Sequence, residues 1–339
     1  MAKSINKDTL LFSKISGSNL YLIDNNDDGK KIFAHHFNDE NTTVDIKIVK
    51  INSENIDLWK KFVFNPPNIK YFRWPCDIVS IEDTVFNKYG NIGLVFLKKD
   101  NYKKPLTSFK NVVYNDRLYG ADNKCKINIK KLLINFLTAL DDLEKKGFLF
   151  VSFDLEKMFF NENDYSVYFD FSLSTVALGC NNVNKRYNFF YDDISIDFIP
   201  PWAEYSNVLK ANKKFAYYSV AALLFKLLIG RMPYQGSLFD GCGAIMSSIF
   251  DNDYNEHINR MKEYYKFPIF IFDDINKKNS IGITAEEQDC VARYESLTSE
   301  LRYMFANTFK IVADTNSSKE LFSFEKWLKA IKSNFNEEI

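Results

Sequence analysis

The chain has 339 residues, enough for one large domain or two small ones. It is 46% hydrophobic and 16% aromatic, with 32 Phe and 19 Tyr, the opposite of the aromatic-poor, highly charged composition of disordered chains. Lys plus Arg and Asp plus Glu each number 44, so no global field draws the chain to nucleic acid or to an anionic membrane, and a protein partner recognised by local shape is expected instead.

In chain order, Leu20–Ile23 and Lys31–Ala34 flank the turn-forming run Asn25–Gly29, which predicts a hairpin. Ser53–Phe64 reads as a helix capped by Ser53 and stopped by Pro66-Pro67. Gly93–Leu97 is a short apolar strand, followed by a lysine-rich polar stretch that reads as a hinge. Ile129, Leu132, Leu133, Phe136, Leu137, Leu140 and Leu143 then recur at helical spacing up to Gly147. Met158–Phe160 and Val167–Phe169 are short strands joined by the turn Asn161–Tyr165. Phe215–Ile229 is apolar on all sides and about fifteen residues long, short of the roughly twenty that a membrane span needs. It is therefore expected as a buried helix despite Lys226. Amphipathic helices are expected within Glu286–Phe309 and Ser323–Phe335. Strands first and helices after argue an α+β chain in two lobes.

Cys76, Cys125, Cys180, Cys242 and Cys290 form no CxxC pair, so neither a zinc site nor a disulfide framework is expected. The N-terminal run MAKSINKDTLLF lacks the apolar core of a signal peptide. A reducing, cytoplasmic setting follows as the expectation.

Asp154 and Asp170 sit in a helix–loop–hairpin context. A phosphoryl-transfer site uses such a pair, one carboxylate orienting the attacking hydroxyl and the other holding Mg²⁺ against nucleotide phosphates. The plain alternative is that Asp170 caps a turn and Asp154 bonds its own loop. Their surroundings carry a resemblance. Val151-Ser152-Phe153-Asp154-Leu155 resembles the HRDL or HGDL catalytic loop of protein kinases, and Asp170-Phe171-Ser172 resembles DFG. Ile199-Pro200-Pro201-Trp202 resembles the end of the activation segment, and Tyr217–Gly236 the long buried helix with the following G-x-x-P-[FY] turn. Asn65-Pro66-Pro67, Trp74-Pro75, Gly93–Phe96, Phe267–Asp273 and Leu301–Phe305 are similar to a bacterial branch that includes kinases of tellurite and stress-resistance operons.

The resemblance implies one protein-kinase-like domain over 1–339: a small β-rich N-lobe over about 8–98, a hinge over about 98–106 and a helical C-lobe over about 107–335. It also implies that ATP and Mg²⁺ are the cofactors to test. Carried over residue by residue, it gives Asp154 as catalytic base and Asp170 as Mg²⁺ ligand. Gly17 stands in a thin glycine loop, and His35 stands in the strand Ile32–Phe37 where the family has its ATP-binding lysine. A neutral imidazole is no fixed cation at pH 7; Lys14 is the conceivable stand-in and Glu54 the nearest candidate for the helix glutamate.

Other positions depart from the family. The metal-holding asparagine five residues beyond the catalytic aspartate is Phe159, and the DFG glycine is Ser172. Ala216 stands where an aspartate braces the catalytic loop. Trp202 and Asn307 stand where the family has an ion pair, unless Glu204 supplies the acid. Three functions are consistent with this pattern: a pseudokinase acting as a binding module, a divergent serine/threonine kinase, and a kinase-fold enzyme acting on a small molecule. Asp240–Glu263 carries mixed charges and aromatics, read as a docking surface or as a solvated helical face.

Overall fold

The computed structural model describes residues 10–12, 20–27, 31–36, 39–51, 56–80, 90–97, 104–105, 123–150, 158–161, 163–170, 175–177, 187–190, 198–202, 208–211, 213–240, 268–311 and 321–336. They belong to two compact units, Met1–Lys103 with Tyr168–Phe171, and Lys104–Val167 with Ser172–Ile339.

In the first unit, strands β1 (Leu10–Phe12), β2 (Leu20–Asp27), β3 (Lys31–His36), β4 (Asp39–Ile51), β6 (Pro75–Ser80) and β7 (Gly90–Leu97) form one antiparallel sheet. Helix α1 (Ile56–Phe64) and the short strand β5 (Phe72–Arg73) lie between β4 and β6 in sequence. The sheet order is β1-β2-β3-β4-β7-β6. Alternation decides its faces. Val44 and Ile46 of β4 join Leu11, Tyr21, Ile23, Ala34, Val79 and Val95 in one buried cluster, so Asp45 and Lys47 project from the opposite face. The expected β2–β3 hairpin is present. Its first strand runs on through Asp27, into the run expected as turn, with an irregularity between Ile23 and Asn25 that absorbs the extra residue.

The α1 helix buries Trp59, Phe62 and Val63. It ends before Pro66-Pro67, which have no N–H to continue it. Phe62 meets Trp74 edge-on at 5.3 Å, and the Trp74 indole N–H donates to the Phe62 carbonyl at 2.6 Å. Phe169 and Asp170 lie parallel to β5, in register with Phe72 and Arg73.

The second unit is helical. It opens with β8 (Lys104–Pro105) and α2 (Asn123–Lys145), whose apolar positions from Ile129 to Leu143 are buried as the spacing predicts. Gly147, at φ 82°, ends α2 by donating its N–H to the Glu144 carbonyl at 2.9 Å. Strands β9 (Phe148–Phe150) and β10 (Met158–Phe160) follow, then β11 (Val167–Asp170), whose residues from Tyr168 on belong to the first unit, and β12 (Thr175–Ala177), β13 (Tyr187–Phe190) and β14 (Val208–Ala211). Helix α3 (Lys213–Ile229) is buried almost throughout. The buried Ser219 hydroxyl on this helix donates to the Phe198 carbonyl at 2.7 Å. Lys226 keeps its ammonium 5.5 Å over the Phe198 ring, which accounts for a lysine within an apolar helix. Among the described residues no helix is long and apolar enough to cross a membrane.

After the short α4 (Ser237–Asp240) come α5 (Ala285–Glu295), α6 (Ser299–Ile311) and α7 (Phe324–Asn336). The expected Glu286–Phe309 span is thus two helices. The break is made at Thr298, whose N–H donates to the Asn334 side chain at 2.8 Å while its hydroxyl accepts from Leu301 N–H. The abundant phenylalanine goes largely into this unit. Phe225 of α3 contacts Phe305, Phe309 and Phe270 with ring centroids 5.2–5.6 Å apart, mostly edge-to-face, the favourable aromatic geometry.

The G-x-x-P turn has its own physical reason. Gly230 ends α3 at φ 94°. A Cβ on Gly236 would lie 2.1 Å from the backbone oxygen of Asn279, whose fully buried side chain bonds the Tyr234 and Ile269 carbonyls. Gly236→Ala is therefore expected to destabilise the protein by about 1–3 kcal/mol through overpacking, read as a lowered denaturant midpoint at unchanged m-value. An unchanged midpoint would show that the turn relaxes freely.

Candidate functional site

The ladder between β9 and β12 pairs Phe150 with Thr175 and Phe148 with Ala177. In sequence, Phe150 stands four residues before Asp154 and Thr175 three residues after Ser172. Asp154 and Ser172 lie outside the described residues, as do Gly17, Lys14, Glu54, Glu204 and the 241–263 stretch. The turn after β10 closes with Asn161 N–H donating to the Ser166 carbonyl at 3.0 Å and Tyr165 in the left-handed region at φ 56°.

Phe159 lies within β10, half-buried, with its backbone paired to Pro105 of β8. Its ring offers no oxygen ligand for a hard cation. Ala216 is fully buried in α3. Trp202 packs edge-on against Tyr218 at 5.2 Å and carries the Lys214 ammonium 5.0 Å over its ring. An apolar and cation–π contact thus fills the Trp202 position, and Asn307 is half-buried on α6. Losing both members of a buried ion pair is close to neutral, whereas losing one strands a charge.

His35 sits on β3, its Nδ1 2.9 Å from a carboxylate oxygen of Asp24. That strand does not lead into α1; β4 does, and β4 lies between β3 and β7. On β4 stands Val44-Asp45-Ile46-Lys47, at the spacing of the kinase V-A-I-K strand, whose lysine pairs the nucleotide phosphates and a helix glutamate. Ala34-His35 on β3 and the V-x-I-K spacing on β4 are both short patterns that fit the lysine position. Lys47 is exposed. Asp45, two residues away on the same face, is buried and engaged by the Arg73 guanidinium. Arg73 also lies 5.2 Å over the Phe96 ring.

Asp170 closes β11 in backbone register with Arg73. The preceding Phe169 stacks on Phe72 at 5.0 Å and donates its N–H to the Tyr71 carbonyl at 2.8 Å. The Asp170 backbone is therefore held by a ladder and a ring stack within the first unit.

No family model matches the chain, and no curated protein matches it in sequence. Among solved structures it is similar to vaccinia related kinase 3, with a TM-score of 0.51 at 13% identity over 99% of this chain and 94% of that one. The kinase of Cydia pomonella granulovirus matches with a TM-score of 0.45 at 15% identity over 91% of this chain and 93% of that one. A sheet-rich N-terminal part, a helical C-terminal part and the likeness to vaccinia related kinase 3 together give the chain a protein-kinase-like α+β fold.

Proposed function

We propose that the chain is a pseudokinase: one kinase-like domain over 1–339 that acts in the cytoplasm as a binding or regulatory module for a protein partner. The observation that carries this reading is Phe159, an aromatic side chain on a paired strand at the place of the metal-holding asparagine. Mg²⁺ takes near-octahedral oxygen coordination and is anchored by few protein groups, so losing one oxygen ligand weakens the whole metal–phosphate clamp. Ala216 and the Trp202–Tyr218 contact support the same reading, because the bracing aspartate and the ion pair have been replaced by packing. The N-terminal segment of the first unit runs to Lys103, within the hinge expected over 98–106, although that unit also takes in Tyr168–Phe171 from the expected C-lobe.

One observation favours a second reading. Lys47 stands exposed on β4 at the V-x-I-K spacing, a cation that does not depend on an imidazole. With it, Asp154 as base and Asp170 holding Mg²⁺ beside a loop carrying Gly17 would make an active serine/threonine kinase using ATP. The experiment that separates the two is transfer of labelled phosphate from Mg-ATP to protein; the pseudokinase reading expects none.

A further inference from the structure

We propose that the Asp45–Arg73 pair is a lock on the Lys47 face of β4, excluding nucleotide from a strand that otherwise carries the spacing to bind it. The inference rests on the pseudokinase reading and gives it a second, metal-independent cause.

Strand alternation puts Asp45 and Lys47 on one face, about 6.6–6.8 Å apart along the strand. In V-A-I-K the residue two before the lysine is alanine, a single methyl. Here it is a carboxylate with only 10% of its side chain exposed, bound by a guanidinium that is 22% exposed. Arg73 reaches Asp45 from β5, and the Phe96 ring, whose backbone is the β7 partner of Asp45, backs the guanidinium. The volume that a methyl would leave open is thus filled by two charged side chains and a ring.

The electrostatics act in the same direction. A phosphate chain drawn to Lys47 would approach the Asp45 carboxylate. Arg73, the cation that could offset it, is already committed to that carboxylate and to the ring. An arginine in a two-sided contact of this kind is held more firmly than a lysine, because its planar group pairs and stacks at once. Asp170 adds a further tie, since its backbone runs in register with Arg73.

The test is binding of a fluorescent ATP analogue in EDTA, so that metal and Phe159 do not enter. Wild type is expected to bind weakly or not at all. Asp45→Ala/Arg73→Leu, which removes both charges together, is expected to bind roughly tenfold tighter or more, and adding Lys47→Ala is expected to abolish that gain. Arg73→Lys, which keeps a charge for Asp45 and so protects folding, is expected to bind at an intermediate level. The lock is overturned if wild type binds as tightly as the double variant, if variants folded by circular dichroism gain nothing, or if the gain survives Lys47→Ala. Tight wild-type binding without phosphate transfer overturns the lock alone. Phosphate transfer by wild type overturns the pseudokinase reading itself.

Discussion

Arg73→Leu is expected to destabilise the protein by about 3–5 kcal/mol, because it leaves the Asp45 carboxylate buried without its guanidinium. Asp45 projects from the middle of a six-stranded sheet, between Phe33 and Phe96 on the neighbouring strands. Solvent reaches it poorly, so the lost partner is not replaced by water. The same reasoning makes the double variant Asp45→Ala/Arg73→Leu much milder, since it removes the charge together with its need for a partner. Equilibrium denaturation of wild type, both single variants and the double variant gives the coupling directly. Additive single effects would mean that the pair is not a unit, and the lock would lose its physical basis.

The second large effect is at Glu287. Its carboxylate accepts the backbone N–H groups of Thr284, Ile283 and Gly282 and a hydrogen bond from Arg231. Thr284 completes the capping box of α5 by accepting from Glu287 N–H. These donors, the Thr284 N–H foremost, hold the Glu287 carboxyl down at about 2 against an ordinary value of 4.5. A carboxyl whose folded pKa lies below its unfolded value contributes stability that is complete above about 4.5 and is lost as pH falls towards 2. The contribution at neutral pH is about 3 kcal/mol. Glu287→Gln is expected to lower stability at pH 7 and to flatten its fall between about pH 5 and 2, so that wild type and variant converge at the acid end. Denaturant midpoints measured across that range check this; parallel curves would contradict it.

Much of the fold was legible because its signals are local. The α2 stripe from Ile129 to Leu143 and the glycine at 147 specify a helix and its end within one segment. The all-apolar α3 likewise declares burial, and its lysine declares nothing until Phe198 is seen beneath it. The break between α5 and α6 was not legible, because Thr298 is fixed by Asn334, 36 residues away. The site was harder still. Which strand holds the lysine position depends on sheet order, and Ala34-His35 and Val44–Lys47 both fit a short pattern. What favours the β4 pattern is the placement of that strand beside β7 and ahead of α1. The Asp45–Arg73 pair joins residues 28 apart on different strands, and no periodicity announces it. Phe159, by contrast, was found by counting from Asp154, since a motif offset survives without any structure.

Incubation of purified protein with labelled Mg-ATP decides whether this kinase-like chain has lost phosphoryl transfer. No label is expected on the chain or on added protein substrates above that of Asp154→Ala and Asp170→Ala controls. Phosphate incorporation by wild type that disappears in both of those variants would contradict that expectation.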